Sequence, residues 1–419
     1  MNEMELGKGP VAPRERIVDL DVLRGIALFG ILVVNLGLFS SPMFQYALPP
    51  KAWPDGLNSG AQFLIWTLFE GKFITLFSLL FGLGFALFAE RLEARGERVG
   101  LIFARRLAFL LMLGILHAVF FWAGDILAFY AVIGFALLFF FRRQEKTLTR
   151  WIIGLFALLV IIQLGFYALI QSGLNHPEVA EETRNALTAE SDRYREWLAA
   201  GYDIYLHGSF SERLNYRLEE WTFGWVAMLF YTGGVPYILA LFLFGLILGR
   251  RGLLRNPQQF RTFFIRKRYS RLAIGWIGAI FYAYAYRHMD PVGYNLWTLS
   301  QGVVFLFTTP LMTMGYIGLI LHGLTIETIA RRLALFAPVG RLALTNYLGQ
   351  TLICTSLFYG YGLGWYGSLT PIATIPLALT IFAGQVAFSR WYLSRYASGP
   401  LESLWRRFTY RTSPKINRD

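Results

Sequence analysis

About ten stretches of roughly twenty mostly apolar residues recur along this chain, and few architectures can accommodate them. They fall at about 18–39, 69–89, 104–122, 126–142, 150–171, 228–249, 270–286, 298–322, 338–360 and 369–391. Each matches the roughly 30 Å hydrocarbon core of a bilayer. Inside lipid a segment must satisfy its own backbone polar groups, so such stretches become helices. The expected fold is all-α, a polytopic transmembrane helix bundle of about ten spans forming a single transmembrane domain over 1–419. Charge suggests its orientation. Arg14 and Arg16 precede the first stretch, and Arg91, Arg95, Arg98, Arg105 and Arg106 separate the second from the third. Arg142, Arg143, Lys146 and Arg150 follow the fourth, and a run from Arg250 through Arg255 to Arg271 follows the sixth. Arg331 and Arg332 follow the eighth, and the tail carries Arg395, Arg406, Arg407, Arg411 and Lys415. Every second connection is basic. Basic loops stay on the cytoplasmic side, so both termini are expected there.

Composition agrees. Apolar residues make up 55% of the chain, aromatic residues 17% and charged residues only 16%, where a soluble domain would hold about a quarter charged. The net charge of +13 lies between hydrophobic segments rather than on one face, so no nucleic-acid partner is expected. A single cysteine, Cys354, excludes a disulfide framework and a cysteine metal site, and no metal is expected. Ser40-Ser41-Pro42 is a poor cleavage site, and the first apolar run is too long for a signal peptide. One insert, about 173–227, is rich in Glu, Tyr and Trp and reads as short amphipathic helices capping the outer face. The stretch 55–68 reads as a similar surface helix leading into the second span. The pair Gly82-x-Gly84 reads as close helix packing.

Polar residues at membrane depth mark candidate sites. Arg24 lies inside the first apolar stretch, where a charge costs about 2.5–3.5 kcal/mol on insertion scales. Asn35 follows it by about three turns on the same face, about 16 Å along the axis. His117 and Asp125 flank a Trp122-Ala-Gly turn, and a histidine beside a carboxylate is suited to general-base chemistry. A direct pair needs that turn to fold Asp125 back; otherwise Asp125 caps a helix and His117 is a satisfied structural histidine. Arg341 and Thr345 are four apart on one expected helix face. With Asn346, Gly349 and Gln350 they line a cavity or glue helices together. Lys72 is expected at the outer boundary of the second span, where snorkelling explains it as well as a binding role does. Arg287, His288 and Asp290 read as a surface cluster, and nothing singles out His176, His207 or His322. The chain carries no Walker loop, dinucleotide-binding turn, HExxH or Gly-x-Ser-x-Gly elbow.

These motifs resemble the YeiB-like membrane proteins, domain of unknown function 418. The resemblance rests on Leu20-Asp21-Val-Leu-Arg24-Gly-Ile-Ala, Lys72-Phe-Ile-Thr-Leu-Phe-Ser-Leu-Leu-Phe-Gly, and Leu116-His117 with Trp122-Ala-Gly-Asp125-Ile-Leu. It continues in Gly340-Arg341-Leu-Ala-Leu-Thr345-Asn346-Tyr347 and Gly399-Pro400-Leu-Glu402-Ser-Leu-Trp405-Arg406. More remotely, Asp-x-x-Arg-Gly-Ile-Ala is similar to the opening helix of transmembrane acyltransferases, the acyltransferase-three and heparan-glucosaminide acetyltransferase families. In those a polar residue follows the Arg by eleven positions, as Asn35 does here. The acetyltransferases also carry a histidine in the following outer loop; residues 36–71 hold none, and His117 is the nearby substitute on that side.

The resemblance implies a multi-pass acyltransferase of the bacterial cytoplasmic (inner) membrane. It would move an acyl group from a cytoplasmic acyl-CoA, such as acetyl-CoA, to a small-molecule, glycan or lipid acceptor at the outer face. Arg24 and Arg341 would hold the donor, with Thr345, Asn346, Lys72 and Trp122 as further binding residues. His117, oriented by Asp125, would act as base, and Asn35 would donate to the developing oxyanion. Two other classes use the same polar residues: a transporter or lipid-handling permease with a polar pathway, and a structural or assembly partner.

Overall fold

The structure, a computed structural model, describes residues 17–45, 53, 55–228, 234–251, 257–290 and 294–411. Arg14, Arg16, Arg255 and Lys415, four of the charges behind the expected topology, lie outside the described residues. So does part of the stretch 228–249.

The described parts of all ten apolar stretches are mostly helical. Six helical segments are long and apolar enough to cross a membrane: Val18–Phe39, Gly56–Ala94, Val99–Phe120, Glu145–Asn175, Leu296–Gly323 and Pro371–Arg395. Leu127–Phe140 and Gly234–Arg250 are apolar but shorter. In chain order, α1 is Val18–Phe39, α2 Gly56–Leu68, α3 Lys72–Ala94, α4 Val99–Phe120, α5 Leu127–Phe140 and α6 Glu145–Asn175. Helices α7 (Ala180–His207) and α8 (Phe210–Val226) form the insert, and α9 (Gly234–Arg250) returns to the bundle. Then follow α10 (Pro257–Ile265), α11 (Arg268–Arg287), α12 (Leu296–Gly323), α13 (Glu327–Leu333), α14 (Ala337–Arg341), α15 (Ala343–Phe358), α16 (Pro371–Arg395) and α17 (Pro400–Tyr410).

Close packing sets the frame. At Gly82 of α3 a Cβ would lie 2.0 Å from the carbonyl oxygen of Phe242 in α9, so only glycine lets these two backbones touch. At Gly84 a Cβ would instead come within 3.7 Å of the Arg24 guanidinium. The expected packing role therefore holds for the first glycine, while the second opens room for a charge.

Two expectations about local structure are corrected. The stretch 55–68 is no surface helix. Asp55 caps the start of α2 by accepting from Asn58 N at 2.7 Å, and α2 then runs into the bundle. At its end Leu68 O accepts from Tyr316 OH at 3.1 Å, and Lys72 O accepts from Thr313 Oγ1 at 3.0 Å. Thr313 lies about 26 Å along α12 from its first residue, so the turn between α2 and α3 is deep in the molecule. The stretch 338–360 is likewise no single helix. It breaks at Leu342 (φ −104°, ψ 39°), which puts Arg341 at the end of α14 and Thr345 in the first turn of α15. The four-residue spacing therefore does not place them on one face.

The insert folds as a helical pair, with α7 longer than the expected short helices. A capping box between Ser209 and Glu212 starts α8. Arg217 donates to Val119 O at 2.8 Å, and Glu220 accepts from Met43 N at 2.7 Å and from Tyr205 OH at 2.5 Å. These bonds pin α7 and α8 over the far ends of α1 and α4.

Candidate functional site

A cavity of 1170 Å³ runs through the bundle. At one end, six arginines stand in its wall: Arg24, Arg91, Arg95, Arg106, Arg341 and Arg406. Local structure explains how they meet. Arg24 sits one and a half turns into α1, bonded to Asp21 at 3.2 Å. Arg91 is in the last turn of α3 and Arg95 is its C-cap. The Arg106 guanidinium of α4 stacks 3.7 Å from the Trp405 ring of α17, whose Nε1 donates to Arg106 O at 2.9 Å. The aromatic face partly offsets the loss of water around the cation.

Glu402 holds this end together. It accepts from Leu344 N at 2.8 Å and from Thr345 N at 3.0 Å, while Thr345 Oγ1 donates to it at 2.6 Å. A carboxylate on the first free N–H groups of α15 satisfies them and complements the helix dipole. It also fixes α17 across the arginine end. A concave wall with six guanidinium groups is suited to binding phosphate or carboxylate in bidentate fashion.

Further along, Asn35, Trp122 and Asp125 also line the cavity. Its far side carries Gln62, Trp66, Tyr282, Tyr286, Tyr294 and Gln301, a mixture of aromatic faces, hydroxyls and amides.

His117 stands apart. The Trp122-Ala-Gly turn does fold Asp125 back, and His117 Nδ1 meets Asp125 Oδ2 at 2.8 Å. The other ring nitrogen, Nε2, meets Thr351 Oγ1 at 2.9 Å. Asp125 Oδ1 also accepts from Ala128 N at 2.7 Å, so the capping role and the histidine pair coexist. The ring is 2% exposed and is not in the cavity wall. Both nitrogens are occupied by the protein, which leaves the expected base with no lone pair or proton facing a substrate.

Three other expected binding residues are also off the cavity. Lys72 does not snorkel. It is 1% exposed, with Nζ donating to Trp66 O at 3.0 Å and lying 5.8 Å from the Tyr282 ring. Thr345 is taken up by Glu402. Asn346 donates to Ser389 Oγ at 2.9 Å, its carbonyl accepts from Gln385 Nε2 at 2.8 Å, and Gln350 Nε2 donates to Gln385 Oε1 at 3.0 Å. That chain of amides fastens α15 to α16, the gluing role rather than the lining one.

Sequence reasoning missed Arg91, Arg95, Arg106, Arg406 and Glu402, because loop arginines read as topology signals. The four-residue spacing of Arg91 and Arg95, one turn beyond the apolar face of α3, was an available signal. Glu70, in the turn between α2 and α3, was also missed and lines the cavity.

A helical bundle of apolar segments around an arginine-ended cavity defines the class of this protein, and sequence comparison gives its family. The chain belongs to the YeiB-like family, whose model, described as a protein of unknown function (DUF418), matches residues 248–412. The uncharacterized protein YxaH of Bacillus subtilis (strain 168) is 33% identical over 417 residues, covering 96% of each chain. The uncharacterized protein YeiB of Escherichia coli (strain K12) is 30% identical over 421 residues, covering 96% of this chain and 99% of its own. No solved structure matches the chain.

Proposed function

We propose that this protein is a transmembrane acyltransferase of the bacterial cytoplasmic membrane, taking its acyl group from a cytoplasmic acyl-CoA such as acetyl-CoA. The observation that carries this reading is the cavity with six arginines at one end and Asn35 further along the same helix face as Arg24. In this reading the bundle crosses the membrane ten times with both termini cytoplasmic. The arginine end then faces the cytoplasm, because it adjoins the basic connection 91–106 and the basic C-terminal helix.

The donor's phosphates rest against Arg24 and Arg341, and its acyl arm points inward. Asn35 donates to the oxyanion that develops at the thioester carbon. An acceptor with a hydroxyl or amine enters from the aromatic and amide side. Because binding energy from the distant phosphates positions the thioester, truncated donors should lose rate as well as affinity.

A permease uses the same cavity, and the deep polar lining favours it as the second reading. Purified protein in proteoliposomes separates the two. Release of free thiol from acetyl-CoA that depends on the protein supports transfer. Uptake of an unmodified solute without thiol release supports the permease instead.

A further inference from the structure

His117 is sealed from the cavity, whereas Glu70 lines it. Glu70 sits in the turn that joins α2 to α3. Gly71, at φ +76°, makes that turn possible and packs against Phe305 of α12. The neighbouring residues are deep in the bundle: Phe69 lies 6.3 Å from Phe29, centroid to centroid, and Phe73 fills the space beside Gly30 of α1. Glu70 itself is only half-buried and lines the cavity. Among the described residues no group donates a hydrogen bond to its carboxylate. Lys72, two residues on, interacts with it electrostatically, and the N-terminus of α3 adds a favourable dipole. A half-buried carboxylate on the cavity wall with no hydrogen-bond donor is open to a ligand's proton.

Its position along the cavity matters as much. The turn meets α1 at Phe29 and Gly30, about 9 Å from Arg24 and about 8 Å from Asn35 along the axis. The turn therefore faces the part of the cavity between Arg24, which would anchor the donor, and Asn35, which would meet the oxyanion.

We propose that Glu70 is the general base of this cavity, taking the proton of an acceptor hydroxyl or amine during acyl transfer. This inference rests on the acyltransferase reading. The acceptor X–H gives its proton to the Glu70 carboxylate as X forms a bond to the thioester carbonyl carbon. The tetrahedral oxyanion then collapses and the C–S bond breaks. The departing thiolate recovers the proton from Glu70, giving an acyl–X product, free CoA thiol and the original carboxylate.

The test compares wild type, Glu70→Gln and Glu70→Asp for acetyl-CoA binding and for thiol release, with glycerol, methyl glucoside and glucosamine as acceptors. Glu70→Gln should bind acetyl-CoA as wild type does and lose thiol release at least 100-fold at every pH. Glu70→Asp should restore part of the rate with a shifted pH profile, which a merely structural residue would not do. Unchanged release by Glu70→Gln overturns this inference alone. A wild type that binds no acetyl-CoA, or releases no thiol with any acceptor, overturns the acyltransferase reading and this inference together. Should Glu70→Gln not fold, wild type treated with an apolar carbodiimide gives the answer. Release should fall in step with labelling of Glu70 mapped by mass spectrometry, and release undiminished at full labelling overturns the assignment.

Discussion

Two polar regions inside this apolar bundle look alike in sequence and differ in what their side chains face. Around His117, every polar atom that the Asp125 and Thr351 side chains offer to the ring is matched within 2.9 Å, and the ring is sealed from the cavity. Around Arg24, charged groups line open space and one interaction, with Asp21, is long at 3.2 Å. Both regions have costly buried polarity. The first spends its hydrogen-bonding capacity on the protein, so it rigidifies the fold. The second keeps capacity for a ligand. A buried polar residue is therefore a candidate for function only when some of its hydrogen-bonding potential is left facing a cavity.

Four substitutions or conditions would sharpen or break that contrast. Arg24→Ala should produce the largest effect on binding, lowering acetyl-CoA affinity at least tenfold in calorimetry, a loss of about 1.4 kcal/mol or more, with the melting temperature hardly changed. A melting temperature that collapses with affinity intact would move Arg24 into the structural region.

Next comes Glu220 in the cap. Burial pushes its carboxyl up to about 7 from the ordinary 4.5, against the opposing bonds from Tyr205 OH and Met43 N and the charge of Arg217. The folded protein thus keeps this proton up to about pH 7, whereas the unfolded chain releases it near 4.5. Stability from this group is present at low pH and declines as the pH rises through that window, on the order of 3 kcal/mol in all. Thermal melts from pH 4 to 8 should show the decline, and Glu220→Gln should flatten it.

His117→Ala should cost about 2 kcal/mol of stability by removing the ring that Asp125 Oδ2 and Thr351 Oγ1 meet, with donor affinity within twofold of wild type. A selective loss of transfer at full stability would return His117 to the chemistry. Smallest is Glu402→Gln, which weakens the cap on α15 by about 1 kcal/mol. A small drop in melting temperature would register it.

Much of the fold was legible in the sequence because lipid-length apolar runs have only one backbone solution. Helices α1, α6 and α12 lie within a few residues of their expected bounds for that reason. The break at Leu342 was not legible, since nothing in Gly340-Arg341-Leu-Ala-Leu forbids a continuous helix; the tertiary contact with Glu402, more than fifty residues away, makes the second start tenable. The depth of α2 was hidden too, because a half-buried helix with Asn, Ser and Gln on one face has the same pattern as a surface helix. For the site, Arg24, Asn35, Arg341, Trp122 and Asp125 were found from depth and spacing and do line the cavity. His117, Lys72, Thr345 and Asn346 were chosen on the same grounds and do not. Sequence shows which polar residues are buried, but only packing shows which of their atoms are already used.

The most direct measurement is a cryo-electron microscopy map of the purified protein with acetyl-CoA. The account expects phosphate density within hydrogen-bonding distance of the Arg24 guanidinium, with the acyl arm running toward the turn at Glu70. Acetyl-CoA at saturating concentration with no density in the arginine end, or with its arm directed away from that turn, would contradict it.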